Sequence, residues 1–195
     1  MGRQRIRPCA MTHPLHKYSD IHSHDRSQAL TGHTVVNITP NDHMLPDGTY
    51  SVGIHPWDTD TPVSLGTLRR LVAMAHDSRV AAIGEAGFDR IRGGDIAAQT
   101  AVFRFQARLA ARLGKPLIIH CVRAYDLLLA EARLFRPVAG MWIVHGFNRN
   151  ETLARQLLDA GIDLSMPAER LGSPRYAALP KERLHTETDS PDTTQ

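Results

Sequence analysis

Cysteine, aromatic residues and long apolar runs are all scarce in this chain of 195 residues. The two cysteines, Cys9 and Cys121, lie far apart and form no Cys-x-x-Cys pair, which excludes a disulfide scaffold and a zinc ribbon. No apolar run approaches the roughly 18 residues of a membrane helix, and the basic N-terminus is not followed by the apolar segment of a signal peptide. We therefore expect a cytoplasmic protein with no membrane contact.

Positive charge is concentrated at the N-terminus, where the first 17 residues contain four Lys and Arg and no acid. Removing these four from the total of 23 leaves 19 basic residues against 20 Asp and Glu in the rest of the chain. A nearly neutral body with 6% aromatic residues does not fit a nucleic-acid-binding module that lacks catalysis. The composition predicts a basic, disordered tail over 1–17, a single domain over 18–190 and a polar tail over 191–195.

Short β-branched runs alternate with longer helical patterns, as they do in βα units around a parallel sheet. Eight strands are predicted, at residues 19–23, 34–39, 50–55, 80–85, 117–121, 141–145, 161–165 and 184–188. This number predicts an α/β fold of the (β/α)8 TIM-barrel type. The segment between the first two strands is too short for a crossover helix, and no helical pattern follows the last strand. We expect a barrel that is abbreviated at its first βα unit and lacks its C-terminal helix.

The helices between the strands have recognisable ends. Thr61 followed by Pro62 predicts the start of the first helix. Asp95 is the expected cap of the longest helix, which Gly114 would end. Another helix is expected near residues 124–134, and Asn150 is the expected cap of the last one.

Side chains that can bind a metal close most of the predicted strands. They are His22, His24, His55, Glu85, His120, His145 and Asp189. The carboxyl ends of the strands of a parallel barrel converge on one mouth, where barrel enzymes keep their active sites, so we expect these side chains to form one site. Imidazole and carboxylate ligands together suit Zn, Mn, Co or Ni, and carboxylates also accept Mg.

The motifs around these residues resemble those of the TatD family of metal-dependent hydrolases, in the same order along the chain. They are His22-Ser23-His24, Gly53-Ile54-His55-Pro56, Ile83-Gly84-Glu85-Ala86-Gly87-Phe88-Asp89, Ile118-Ile119-His120, Val144-His145-Gly146-Phe147 and Glu187-Thr188-Asp189. The helical residues Gln99, Phe103, Gln106 and Ala110, before Lys115-Pro116, also match the pattern of that family. The resemblance extends from about residue 20 to residue 189.

The resemblance implies a centre of two divalent metal ions, Mg, Mn or Zn. One ion would be held by His22, His24, Glu85 and Asp189, and the other by His120, His145 and the shared Glu85. Two ions bridged by a carboxylate lower the pKa of a bound water and stabilise the charge on the attacked phosphate. Asp189, beside that water, is the expected general base, so Asp189 and Glu85 are the candidate catalytic residues.

The resemblance also implies that the substrate is DNA, whose phosphodiester bonds would be hydrolysed from an end. Arg123 and Arg149, just beyond two of the histidines, are expected to bind substrate phosphates. His55 is expected to donate a hydrogen bond to the substrate and not to bind metal. Asp89 is expected to orient a ligand or a loop.

Two alternatives stay open. The same centre could hydrolyse another small ester, amide or lactone. The shortened barrel could instead bind metal without turnover and act through an interaction, with its uncovered last strand as the surface of an oligomer. Hydrolases built on a carboxylated lysine are disfavoured, because none of the three lysines, Lys17, Lys115 and Lys181, ends a predicted strand.

Overall fold

The computed structural model describes residues 15–189, in which eight strands form one parallel sheet and pair in chain order. The strands are β1 (Asp20–Ser23), β2 (Thr34–Ile38), β3 (Tyr50–Val52), β4 (Val80–Asp89), β5 (Leu117–Val122), β6 (Trp142–Val144), β7 (Ile162–Met166) and β8 (Leu184–Thr186). The α-helices are α1 (Leu65–Ala75), α2 (Ile96–Leu113), α3 (Tyr125–Phe135), α4 (Glu151–Asp159) and α5 (Ala168–Leu171). The predicted tail over 191–195 and residues 1–14 of the predicted N-terminal tail lie outside the described residues.

The first and last strands lie side by side, so the sheet curls into a nearly closed barrel. The Thr186 hydroxyl donates to the carbonyl of Ser19 over 2.5 Å, and the Thr188 hydroxyl donates to the Asp20 carboxylate over 2.7 Å. Beyond β8, the backbone N–H of Asp189 donates to the His22 carbonyl over 3.0 Å. These contacts confirm the predicted TIM-type barrel. They also bring the end of the described chain to the mouth.

Two strands, β3 and β4, end more than two residues away from their predicted ends. β3 ends at Val52 and not at residue 55, because the backbone of Ile54 is hydrogen-bonded by the side chain of Gln106 and not by a neighbouring strand. β4 continues to Asp89, four residues past its predicted end, because its last part pairs with β5. The abbreviated first unit is confirmed, since only a short 3₁₀ helix, Arg26–Leu30, joins β1 to β2.

The N-terminal caps follow the prediction in two of three cases, and Gly114 ends α2 as predicted. The Asp95 side chain accepts from the N–H of Ala98, and the Asn150 side chain caps α4 in the same way. The predicted start of α1 is wrong. α1 begins at Leu65, where the Ser64 hydroxyl accepts from the Thr67 N–H over 3.0 Å. A cap must directly precede the first helical turn, and the predicted start lies too early for that.

The core has two layers. The larger packs the strands against the helices, and the smaller consists of Leu15, Ile21, Val35, Ala82, Ile118 and Ile143. Ile118 and His120 are two residues apart in β5 and therefore point to the same face of the strand. The smaller layer thus lies directly beneath the histidines of the mouth. Leu15 falls within the tail expected from composition, yet it is fully buried in this layer.

The last strand does not present the uncovered apolar face that the sequence suggested. Leu184 of β8 is only 8% exposed. The connection from β7 folds back with Tyr176 and Leu179 buried, and α5 packs against β8. The uncovered last strand therefore no longer supports the prediction of an oligomer. Among residues 15–189, no helix is long and apolar enough to span a membrane.

Candidate metal centre

Glu85 lies at the centre of the histidines at the barrel mouth. Its side chain is buried, and its Oε1 atom faces three imidazoles. Oε1 lies 2.6 Å from Nε2 of His145, 3.1 Å from Nδ1 of His120 and 3.3 Å from Nε2 of His55. His145 follows β6, His120 lies within β5 and His55 follows β3, so three separate parts of the chain converge on one oxygen atom.

The other oxygen of Glu85 faces a different pair of imidazoles. Oε2 lies 3.2 Å from Nε2 of His24 and 3.4 Å from Nε2 of His22. Asp189 completes this side, with Oδ1 at 3.5 Å from His22 Nε2 and 3.7 Å from His24 Nε2. Each oxygen of the buried Glu85 carboxylate thus faces its own set of imidazole nitrogens.

Asp89 orients His120 from behind. Its Oδ2 atom lies 3.2 Å from Nε2 of His120 and accepts from the indole N–H of Trp57 over 2.6 Å. Its Oδ1 atom accepts from the backbone N–H groups of Ile91 and Arg92. Burial raises the pKa of this carboxyl, but the hydrogen bonds, that of Trp57 first, hold the pKa below its ordinary value. Burial lowers the pKa of His120, but the carboxylates of Glu85 and Asp89 raise it overall, because each faces one of the two ring nitrogens and can accept a hydrogen bond from it.

His55 has the opposite arrangement of its two ring nitrogens. Its Nδ1 accepts from the backbone N–H of Trp57 over 3.2 Å. In a neutral imidazole the proton then lies on Nε2, the atom that points at Glu85. His55 is therefore arranged as a hydrogen-bond donor, although its position beside Glu85 and His120 would suit a metal ligand.

The residues 19–195 of this chain match the sequence model of the family described as TatD related DNase. The chain belongs to this family. A "3'-5' ssDNA/RNA exonuclease TatD" of Cronobacter sakazakii is 34% identical over 149 residues, which cover 72% of this chain and 56% of that protein. An "uncharacterized metal-dependent hydrolase YcfH" of Escherichia coli K12 is 32% identical over 151 residues, covering 73% and 55%. The chain spans about half the length of these curated relatives.

Solved structures of TatD proteins share the fold. The crystal structure of YJJV, a TatD homologue from Escherichia coli K12, matches with a TM-score of 0.69 at 22% identity, over 90% of this chain and 80% of that one. A hydrolase of the TatD family from Entamoeba histolytica matches with a TM-score of 0.67 at 22% identity, over 89% and 73%. These likenesses confirm the barrel.

Burial and neighbouring charges shift the pKa values of the site residues in opposite directions. Burial alone would lower the pKa of His22, but the charges of Glu85 and Asp189 raise it to about 10. Burial would likewise raise the pKa of Glu85, yet the nearby His145 and His22 hold it well below its ordinary range. Glu85 is therefore ionised at neutral pH, and a metal ion held by His22 would have to displace the proton from that imidazole.

The site fits a divalent metal ion. The ring nitrogens of His22 and His145 are buried and have no hydrogen-bond partner among the described residues, although carboxylate oxygens lie close to both. Buried nitrogens without partners are costly unless a ligand satisfies them. Three groups of three ligand atoms lie mutually within 4.8 Å, namely His22-His24-Glu85, His22-His145-Asp189 and His55-Glu85-His120. Imidazole with carboxylate is the donor set of transition-metal sites.

The two predicted phosphate-binding arginines are not brought to this site. Arg123 and Arg149 are exposed and line no part of the mouth cleft, a cavity of about 410 Å³ between the candidate metal ligands and solvent. The carbonyl of Arg123 accepts from Arg90, and that of Arg149 accepts from Tyr176. Arg26 is the one arginine among the described residues that line the cleft. The substrate roles of Arg123 and Arg149 stay predictions.

Two residues that matter at the site received no role from the sequence. Trp57 is one, because a single aromatic residue in a loop makes no pattern. The other is Glu187, which is buried and accepts from the Gly146 N–H and from the Ser165 hydroxyl, each over 2.5 Å. Glu187 thereby holds the loop that follows His145. Its place in the Glu187-Thr188-Asp189 motif was the available signal.

Two buried glutamines of α2 hold the loops that carry site residues. Gln106 accepts from the Ile54 N–H over 2.8 Å and donates to the Ile54 carbonyl over 2.9 Å, directly before His55. Gln99 makes the same pair of bonds with Asp89, over 2.8 and 2.9 Å. Helix α2 therefore fixes the backbone at two points of the mouth.

Replacing Gln106 with leucine should destabilise the protein by about 3 kcal/mol, because two buried backbone groups of Ile54 lose their partners. For a chain of this size that corresponds to a fall in melting temperature of about 6–12 °C, measured by circular dichroism. Gln156→Leu, at an exposed position of α4, is the control and should shift it by less than about 2 °C. Equal shifts in the two variants would contradict the positioning role.

Proposed function

We propose that this chain is a divalent-metal-dependent hydrolase that cleaves phosphodiester bonds of DNA, acting on single strands from the 3′ end. The observation that carries the proposal is the buried Glu85, whose two oxygens face separate sets of imidazoles at the barrel mouth. The Cronobacter sakazakii relative is named a 3′-5′ ssDNA/RNA exonuclease and the Escherichia coli relative a metal-dependent hydrolase.

We assign two ions, Mg, Mn or Zn, to this centre. The residues for one are His22, His24, Glu85 and Asp189, and those for the other are His120, His145 and Glu85. Support for two sets comes from Oε2 of Glu85 facing the first and Oε1 facing the second. When bound, such ions lower the pKa of water and polarise a phosphate.

The chain's own residues supply the positioning and the proton transfer. Asp189 lines the cleft with 41% of its side chain exposed, so its carboxylate reaches solvent and substrate. Burial raises its pKa, but the nearby imidazoles, that of His22 first and then that of His145, lower it overall, which keeps Asp189 ionised. It can therefore accept the proton of the attacking water. Nε2–H of His55 faces Oε1 of Glu85 at 3.3 Å, and in this proposal it donates to a substrate oxygen bound beside that carboxylate.

The proposal is tested with end-labelled oligonucleotides of single-stranded DNA, duplex DNA and RNA. Purified protein is incubated with Mg²⁺, Mn²⁺ or Zn²⁺, and in parallel with EDTA. We expect metal-dependent shortening of single-stranded DNA from its 3′ end and none with EDTA. Hydrolysis of a small ester or amide without cleavage of any nucleic acid would instead support the second activity. Bound metal with no turnover would identify an inactive relative.

A further inference from the structure

Trp57 stands at the mouth between two cavities. Its side chain lines the mouth cleft, which contains Glu85, His120 and His145. It also lines an adjoining trough of about 510 Å³ bounded by Thr39, Pro40, Asn41, Asp58, Ser64 and Thr67. The two cavities adjoin at this tryptophan, which forms part of the wall of each, so a ligand against its ring lies beside the candidate metal ligands.

The indole ring is exposed yet held in a fixed orientation. Trp57 is 41% exposed, which is unusual for the largest apolar side chain. Its Nε1–H donates to Asp89 over 2.6 Å, and the ring meets that of His55 edge to face with centroids 4.6 Å apart. The Trp57 ring is thus both rigid and open to solvent, which makes it a suitable surface for a flat ligand.

One face of the ring already receives a planar group. The guanidinium carbon of Arg92 lies 4.3 Å from the ring centroid, and Arg92 is otherwise an exposed side chain. A guanidinium stacks on an aromatic face much as a nucleobase does. The arginine therefore shows that this ring accepts a planar group on its face, although Arg92 itself lines neither cavity.

We propose that Trp57 is the stacking platform for the base of the terminal nucleotide, and that it sets the affinity for single-stranded ends. This inference rests on the proposed nuclease function. A stacked base beside Glu85 and His120 would place the phosphate that joins it to the next nucleotide at the metal-binding side chains. Binding through the flat face of a base is tolerant of sequence, because every base has one.

Steady-state kinetics on a 3′-labelled single strand test the platform. Trp57→Ala should raise KM by about 10- to 100-fold, since stacking contributes at that level. Trp57→Phe keeps a ring, so KM should return to within about fivefold of wild type. Leu134→Ala, at an exposed apolar side chain of α3 that lines neither cavity, is the matched control and should leave KM unchanged.

A substrate that lacks its terminal base separates stacking from loss of structure. The wild type should bind an oligonucleotide with a 3′-terminal abasic nucleotide about 10- to 100-fold more weakly than the intact strand, whereas Trp57→Ala should not distinguish the two. The chain has two tryptophans, so in a Trp142→Phe background the emission reports Trp57 alone. Intact strand added in EDTA should quench this emission, and the abasic strand should not.

The outcomes distinguish this inference from the proposed function. If the wild type cleaves single strands while Trp57→Ala keeps the wild-type KM and both proteins discriminate against the abasic end, the platform is refuted and the nuclease stands. If the wild type neither cleaves nor binds any nucleic acid, the proposed function fails and the platform fails with it.

Discussion

Replacing Glu85 with glutamine is expected to reduce metal-dependent cleavage by at least about 1,000-fold, because the loss of an ionic ligand shared by both sets removes several kcal/mol of stabilisation. Glutamine has the shape of glutamate but no charge. The imidazoles on both sides of Glu85 then face a neutral amide, and the attraction that gathers cations at the mouth is lost.

The measurement is kcat/KM on the single strand together with the change in melting temperature on adding Mn²⁺. A metal present at about 100 times its Kd stabilises the folded wild type by about 2.7 kcal/mol, which is about 5–10 °C here. Glu85→Gln should show almost none of this rise. Glu182→Gln, at an exposed position, is the control and should retain both the activity and the rise in melting temperature on adding Mn²⁺. Wild-type activity in Glu85→Gln would refute the proposed centre.

Replacing Gly87 with alanine is expected to disrupt the barrel at the site. Gly87 lies in β4 opposite His120 of β5, with φ at +153°. A Cβ atom there would lie 1.9 Å from the His120 carbonyl oxygen and 2.9 Å from its carbon. Both are backbone atoms of a paired strand and cannot rotate aside. The two strands would have to separate, which moves His120 away from Glu85.

We expect Gly87→Ala to lower the free energy of unfolding by about 4 kcal/mol, in the upper range for single substitutions. The melting temperature should fall by about 8–16 °C. Gly114→Ala is the matched control, because its φ is +62° but no atom lies within 4 Å of the added Cβ. It should cost only about 1 kcal/mol of backbone strain. Similar losses at the two glycines would show that steric overlap with β5 is not what Gly87 avoids.

The order of the strands and the convergence of the candidate histidines and carboxylates on the mouth could be predicted from the sequence. Each strand is a short apolar run with a candidate ligand near its end, so both signals are local. Parallel pairing in chain order then requires these residues to meet at one mouth, whatever the detailed geometry. Caps such as Asp95 and Asn150 were predictable for the same reason, since a cap acts on the turn beside it.

What lies between the strands was decided by tertiary contacts. β3 ends early because Gln106, distant in sequence, takes over the hydrogen bonds of Ile54. The positions of Arg123 and Arg149 depend on which way two loops turn, and no periodicity encodes that direction. The exposed face of the last strand, expected from a missing helix, is covered by the connection that precedes it.

The same distinction between local signals and tertiary contacts applies within the site. The sequence alone determined that imidazoles and carboxylates gather at the mouth of a parallel barrel. Only the tertiary structure decided that Oε1 and Oε2 of Glu85 face different imidazoles. It also decided that the neutral His55 carries its proton on Nε2 and that the indole N–H of Trp57 donates to Asp89. Ring orientation and hydrogen-bond direction depend on neighbours contributed by other strands, so they exist only once the barrel has closed.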